Sequence, residues 1–441
     1  MENNEGIYII ELQLENVRCF GEKAVLDLSD GNGSWRRWNV ILGDNGIGKT
    51  TLLQILSMLE HRPAHERFIG EPEVTQYVPL LILDSDILFS FSKISASKEK
   101  LAIVAKTIPR NPSVKSLYDI IVTIPHENEA GSTSSNLVFK QLIFYGYGAD
   151  RRIGHSFLSE SFSTINSRSL FEDNAELINA EEWLLQLDYS SSKESEVRDF
   201  ATAKKEQVTS ILLDLLPDLS DIRFSIPTKE KLVPTVQFQT PFGWVNINQL
   251  SLGYKTMVAW MVDLAAKLFD RYPDSDNPLS EPAIVLVDEI DLHLHPKWQR
   301  KIFGYLSEKF PKTQFIVTAH SPLVVQAAPE DANIILLRKE GDHVVIDQSI
   351  ESVHQWRLDQ ILTSELFGLE TAYNPQTEKL IDERKELLSK NSLTIEEKKR
   401  LGELNSIVEN LPTGENDQDR EAMNIIRSAA NYLKSNELAH K

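Results

Sequence analysis

Gly43-Asp44-Asn45-Gly46-Ile47-Gly48-Lys49-Thr50 completes the pattern G-x-x-x-x-G-K-[S/T]. Its flanks decide how it is read. Trp38-Asn39-Val40-Ile41-Leu42 before it is strand-like, and Leu52, Ile55, Leu56 and Leu59 after it recur at helical spacing. A glycine loop between a strand and a helix is a phosphate cradle. The backbone N–H groups of Gly43, Asn45, Gly46 and Gly48 can converge on phosphate oxygens, and the helix N-terminus adds partial positive charge. Lys49 suits the β- and γ-phosphates, Thr50 a Mg²⁺ ion and Thr51 the α-phosphate. ATP and Mg²⁺ are the expected ligands.

Composition bounds the rest. The 441 residues are enough for two or three domains, and 25% charged with 41% hydrophobic residues is the balance of a globular protein. The single cysteine, Cys19, excludes an internal disulfide and fits a reducing cytosol; set among Val17, Arg18 and Phe20, it reads as a packed thiol. Met1 to Glu5 is acidic and polar, unlike a signal peptide, and the apolar stretch Met257–Leu268 is broken by Asp263 and Lys267. A cytoplasmic protein without a membrane span is expected. The net charge of −19 argues against a nucleic-acid surface along the whole chain. A local basic run remains, with Lys98, Lys100, Lys106, Arg110 and Lys115 against the lone acid Glu99. It reads either as a solvated surface or as a DNA contact within a complex.

Ile7–Val17 and Ala24–Leu28 read as paired strands. Between Arg62 and Val245 the pattern is irregular, with short strands at Leu80–Leu83, Ile120–Ile124 and Leu142–Tyr145 and helices near Ala180–Gln186 and Ala203–Leu216. From Asn246 strands and helices alternate: a helix over Lys255–Leu268, a strand at Ala283–Val287, a helix near Trp298–Phe310, and strands at Gln314–Thr318 and Ile334–Leu337. Such alternation implies a largely parallel sheet. Glu378–Lys390 and Thr394–Leu411 read as a helical hairpin and Asp417–Lys434 as a further helix.

Ile284-Val285-Leu286-Val287-Asp288-Glu289 is a buried-type run ending in two acids. At the end of a strand beside a phosphate loop, Asp288 can order Mg²⁺ and Glu289 can polarise an attacking water. Leu250-Ser251-Leu252-Gly253-Tyr254-Lys255-Thr256 opens a helix and resembles the signature loop of ABC-type ATPases; Lys255-Thr256 is similar to the ending found in SMC-like and RecF-like heads. Leu252 and Tyr254 stand where that family has a Gly and an acid. In the family the loop touches the γ-phosphate held by the opposite subunit, a role the resemblance carries to Ser251 and Gly253. It likewise makes His320, in Thr318-Ala319-His320-Ser321, the switch histidine, and Asp291, in Asp291-Leu292-His293-Leu294-His295-Pro296, the D-loop acid. His293 and His295 also have H-x-H spacing, but no Cys or carboxylate cluster in the sequence completes a zinc site. Arg18, in Leu14-Glu15-Asn16-Val17-Arg18-Cys19-Phe20, resembles the nucleotide-proximal arginine of RecF-like heads, with the plain surface arginine as the other reading. Tyr145 to Arg152 follows a strand where the coupling loop belongs; the usual glutamine is not evident there, and Gln141 is near.

The resemblance implies an α/β fold: an ABC-type head of the P-loop NTPase class, with a mixed sheet and an antiparallel N-terminal subdomain. Residues 1–61 and 246–370 would form this head, 62–245 an α+β insertion between the phosphate loop and the signature, and 371–441 a helical tail for assembly or partner docking. It further implies a homodimer or higher oligomer closing over ATP. Within the class, Asp288 to Pro296 with Thr318 to Pro322 is similar to OLD-like ATPases of prokaryotic defence systems. Leu362 to Glu370, Ser169 to Asp173 and Glu181 to Leu184 resemble the PtuA-like ATPases of Septu anti-phage systems, which also accompany retrons. That resemblance implies a separately encoded, PtuB-like HNH nuclease as partner. Two rivals stand beside it: a RecF-like DNA-repair ATPase acting directly on DNA, and a scaffold that holds nucleotide with little turnover.

Overall fold

The computed structural model describes residues 6–15, 17–21, 23–57, 86–93, 100–109, 118–123, 142–155, 166–216, 218–226, 229, 232–349, 353, 355–390, 392–409 and 411. The expected strand Leu80–Leu83, the helix Asp417–Lys434, Gln141 and part of the basic run (Lys98, Arg110 and Lys115) lie outside the described residues. The chain divides into two units, Met1–Phe367 and Gly368–Lys441.

The first unit contains β1 (Ile7–Glu15), β2 (Ala24–Asp27), β3 (Trp38–Leu42), β4 (Asp86–Lys93), β5 (Lys100–Pro109), β6 (Tyr118–Thr123), β7 (Phe144–Tyr147), β8 (Asp221–Phe224), β9 (Val236–Thr240), β10 (Gly243–Asn246), β11 (Ala283–Val287), β12 (Thr313–Thr318), β13 (Asn333–Glu340) and β14 (His343–Asp347). Its central sheet has the order β14-β13-β3-β12-β11-β7 and is parallel except for the edge pair β13–β14. A second, antiparallel sheet runs β2-β1-β4-β5-β6, and a small third one runs β10-β9-β8. The result is an α/β fold with a mixed sheet and an antiparallel N-terminal sheet.

β11 reads as an unbroken apolar run, and β3 and β12 as largely apolar ones, because both faces of the central strands are covered. Side chains alternate across a strand. Val40, Leu42, Val285, Val287, Phe315 and Val317 enter one core with the helix Leu252–Arg271, while Ile41, Ile284, Leu286, Ile316 and Ile335 enter another with the helix Lys49–Ser57 and β1–β2. The helix Leu252–Arg271 is buried almost all round, from Met257 to Phe269. The helices Ala180–Ser192 and Arg198–Leu215 pack against it.

Several expected elements shift; the helices expected at Ala203–Leu216 and Lys255–Leu268, for example, run over Arg198–Leu215 and Leu252–Arg271. β1 ends at Glu15 because the chain turns at Val17, whose carbonyl accepts from the Phe20 N–H at 2.9 Å. β7 starts at Phe144, two residues later than Leu142. The helix expected over Trp298–Phe310 is two helices, Pro296–Gln299 and Ile302–Lys309. The Lys301 N–H bonds the Trp298 carbonyl at 2.8 Å, an i−3 bond that tightens the turn and breaks the i−4 ladder. In the second unit, helices Pro375–Ser389 and Ile395–Glu409 pair, with Arg384 donating to Asn405 at 2.7 Å and Arg400 forking onto Glu383 at 2.7 Å through both nitrogens. No helix among the described residues is long and apolar enough to cross a membrane.

The acid that interrupts the apolar helix has a full set of partners. Buried Asp263 accepts from the Tyr147 hydroxyl at 2.9 Å and the Ile178 N–H at 3.1 Å, and pairs with Lys267 at 2.8 Å. Asp263→Ala would strand all three donors. It is expected to lower unfolding free energy by about 3–5 kcal/mol in urea titration. Tyr147→Phe, which removes one donor cleanly, is expected to cost about 1 kcal/mol; equal losses for the two variants would contradict this ranking.

Candidate functional site

The phosphate loop leaves β3 at Leu42 and enters its helix at Lys49. Gly48 has φ 112°, in the region that disfavours side chains, and a Cβ there would lie 2.6 Å from the Cys19 sulfur. The Cys19 thiol approaches the Ile47 carbonyl at 3.6 Å, and burial pushes its pKa up. The N-terminal segment carrying Arg18, Cys19 and Phe20 is thus laid against the loop. Arg18 itself is exposed, with a left-handed φ of 52°.

Lys49 is buried, and its ammonium donates to the Gly43 and Asp44 carbonyls at 2.8 Å each. Burial pulls its pKa down; the carboxylates of Asp288, Glu289, Asp44 and Asp291 oppose that. Burial and the surrounding carboxylates thus act on the ammonium in opposite directions.

β11 carries its apolar run to the same place. The parallel register Val287↔Val317 and Thr318↔Ile41 brings the ends of β3, β11 and β12 level. At this level the Thr50 hydroxyl donates to Asp288 Oδ2 at 2.6 Å, and the Thr318 hydroxyl donates to Asp288 Oδ1 at 2.5 Å. The Glu289 N–H donates to the Thr318 hydroxyl at 2.7 Å. Glu289 has a left-handed φ of 49°, and its carboxylate lies 3.9 Å from His320 Nε2. The His320 N–H is held between both Asp291 carboxylate oxygens, at 3.1 and 3.2 Å. Lys49, Thr50, Asp288, Glu289, Asp291 and His320 therefore gather at one rim of the sheet.

Ser251 and Gly253 belong to a second cluster. The Ser251 hydroxyl caps its helix by accepting from the Tyr254 N–H at 3.4 Å. A Cβ on Gly253 would lie 2.4 Å from the His293 carbonyl, so glycine is required for the loop Asp291–His295 to close against the helix start. Tyr254 donates to Asp218 at 2.6 Å and meets Trp298 edge-on at 4.8 Å. His295 caps the helix Pro296–Gln299 through Nδ1, which accepts from the Lys297 N–H at 3.3 Å.

Two site residues carry no role from sequence reasoning. Thr318 bridges Asp288 and Glu289, and its only sequence signal is a hydroxyl at the last position of a buried strand. Buried Arg151 donates to the Asp288 carbonyl at 2.6 Å and the Glu289 carbonyl at 2.9 Å. It lies in the stretch after β7, singled out above only as a whole.

The donor set fits the expected ligands. Thr50 and Asp288 offer a hydroxyl and a carboxylate oxygen in contact, the hard oxygen chemistry that Mg²⁺ takes, and a lysine stands beside them at a helix N-terminus.

Comparison with known proteins gives the family. Residues 38–326 match a family described as "AAA domain, putative AbiEii toxin, Type IV TA system", and residues 11–59 match a second described as "AAA domain". The chain belongs to the first of these AAA-domain families. Nucleotide binding follows from membership. Over 397 residues the chain is 25% identical to the Septu protein PtuA of Bacillus mycoides (strain KBAB4), covering 89% of this chain and 50% of that protein. It is 36% identical over 162 residues to the Retron Ec83 probable ATPase of Escherichia coli, covering 36% of this chain and 28% of that one. It thus spans half the length, or less, of these two relatives. A crystal structure of an SMC head bound to the C-winged helix domain of ScpA aligns with a TM-score of 0.45 at 16% identity, covering 77% of this chain and 97% of that one.

Thr318→Val is expected to lower unfolding free energy by about 1–3 kcal/mol, because the Glu289 N–H loses its acceptor. Thr318→Ser keeps the hydroxyl and is expected to stay within about 1 kcal/mol of the parent in urea titration. Equal stability of the Val and Ser variants would show that the bridge carries nothing.

Proposed function

We propose that this AAA-domain protein hydrolyses ATP and that two copies close over two nucleotides, each held between the phosphate loop of one copy and the Ser251–Gly253 loop of the other. The observation that carries the reading is the contact of the Thr50 hydroxyl with Asp288 at 2.6 Å, with Glu289 and His320 at the same rim. Lys49 clamps the phosphates and is displaced onto them from the Gly43 and Asp44 carbonyls. Thr50 and Asp288 would hold Mg²⁺, which when bound would neutralise charge on the phosphate oxygens. Glu289 orients the attacking water and accepts its proton. His320, Ser251 and Gly253 sense the γ-phosphate, with Asp291 fixing the His320 backbone. Loop residues Gly43, Asn45, Gly46 and Gly48 would offer N–H groups, Thr51 would reach the α-phosphate, and Arg18 would stand near the nucleotide. Most of the rate enhancement then comes from positioning and electrostatics.

The similarity to a Septu protein and to a retron ATPase supports a place in an anti-phage complex of that kind. There the nucleotide state would bias a two-state switch and gate a separately encoded HNH nuclease. The unit from Gly368 onward is the candidate for assembly or partner docking.

Glu289→Gln separates hydrolysis from binding. Turnover is expected to fall about 10²-fold or more, while ATP is retained and ATP-bound dimers accumulate in light scattering after size exclusion. Unchanged turnover in this variant would refute the assignment of Glu289, and a parent chain with no turnover would refute hydrolysis.

A further inference from the structure

Glu289 is a non-glycine residue held at φ 49°. Left-handed backbone is strained for such a residue and persists only where its surroundings over-determine it. Four hydrogen bonds do so here, two from each side. On one side Thr318 takes the Glu289 N–H on its hydroxyl at 2.7 Å and the Ile290 N–H on its carbonyl at 2.9 Å. On the other, Arg151 Nη1 donates to the Asp288 carbonyl at 2.6 Å and Nη2 to the Glu289 carbonyl at 2.9 Å. Both peptide planes flanking Glu289 are therefore gripped at their N–H and at their C=O.

Arg151 is built for this and for little else. It is 3% exposed, and the Gly148 carbonyl is its third acceptor at 3.3 Å. Its guanidinium carbon stands 5.6 Å from the Trp260 ring centroid, and Nε has no hydrogen-bond partner among the described residues. A planar guanidinium donates from two nitrogens held in a fixed fork and so fixes the two carbonyls relative to one another, whereas an ammonium such as that of Lys49 serves two carbonyls from one freely rotating nitrogen. Burial lowers its pKa to about 10, and the nearby carboxylates of Asp288, Asp291 and Glu289 oppose that shift, so it remains charged at neutral pH.

We propose that Arg151 is a positioning residue: its fork holds the left-handed Glu289 in the orientation that hydrolysis requires, and joins the segment after β7 to the acids at the end of β11. This rests on the hydrolytic reading of Glu289.

The test uses the full chain with Arg151→Met and Arg151→Lys. The Met variant leaves three carbonyls without their donor and is expected to be less stable than the parent, so urea titration first confirms that both variants are folded under the assay conditions. Three readouts are taken: kcat, affinity for a fluorescent ATP analogue, and amide hydrogen exchange along the chain. In the Met variant kcat is expected to fall about 10²-fold, the scale of a misplaced catalytic group. Nucleotide affinity should stay within about threefold, a shift under 1 kcal/mol. Exchange should rise at Glu289 and Ile290 and not in β3 or β12. Lys, with the charge but not the fork, should recover only part of kcat. A parent-like kcat in the Met variant, or exchange that rises throughout the sheet in both variants, overturns the proposal. If the parent itself does not hydrolyse ATP, the hydrolytic reading fails separately, and unchanged local exchange in the Met variant would still overturn the clamp.

Discussion

One carboxylate ties the site together. Asp288 receives the Thr50 hydroxyl on one oxygen and the Thr318 hydroxyl on the other. Those threonines come from the helix after β3 and from the end of β12, while Asp288 itself ends β11. Three adjacent parallel strands are thus fastened at the level where the phosphate loop begins. The parallel register makes this possible, because strands that end level present their C-terminal residues along a single rim, where ligands of open α/β sheets bind.

Around that carboxylate the charges are arranged in opposition. Asp288, Glu289 and Asp291 crowd one rim, and two buried cations face them: Lys49 from the loop and Arg151 from the segment after β7. Among the described residues, neither cation's ammonium or guanidinium hydrogen bonds go to a carboxylate; both donate to backbone carbonyls. The carboxylate oxygens are left for hydroxyls, for the His320 N–H and, in the proposed function, for Mg²⁺. Lys49 bonded to its own loop is preorganised in place, with only carbonyl contacts to exchange when phosphate arrives.

Much of this was legible in the sequence, for identifiable reasons. Ala283–Val287 appears at its expected bounds because a strand buried on both faces has to be an apolar run. The phosphate loop is legible because its glycines answer to backbone geometry and close approach, seen where Cys19 abuts Gly48. Lys49, Thr50, Asp288, Glu289, Asp291 and His320 gather as their segments suggested. What sequence reasoning missed depends on long-range backbone contacts. Arg151 acts on carbonyls 137 and 138 residues away, and a carbonyl leaves no mark in a residue pattern. The break after Gln299 is set by one i−3 bond, and the three-stranded sheet β8–β10 is built from strands too short to carry a period.

The shared seat of Thr50 and Asp288 is the claim on which the chemistry rests, and the most direct test is binding rather than turnover. A fluorescent ATP analogue should bind the parent chain about tenfold or more tightly when Mg²⁺ is added, worth about 1.4 kcal/mol. Asp288→Asn should lose that gain and keep its affinity in the absence of Mg²⁺. An equal gain from Mg²⁺ in both chains would contradict the seat.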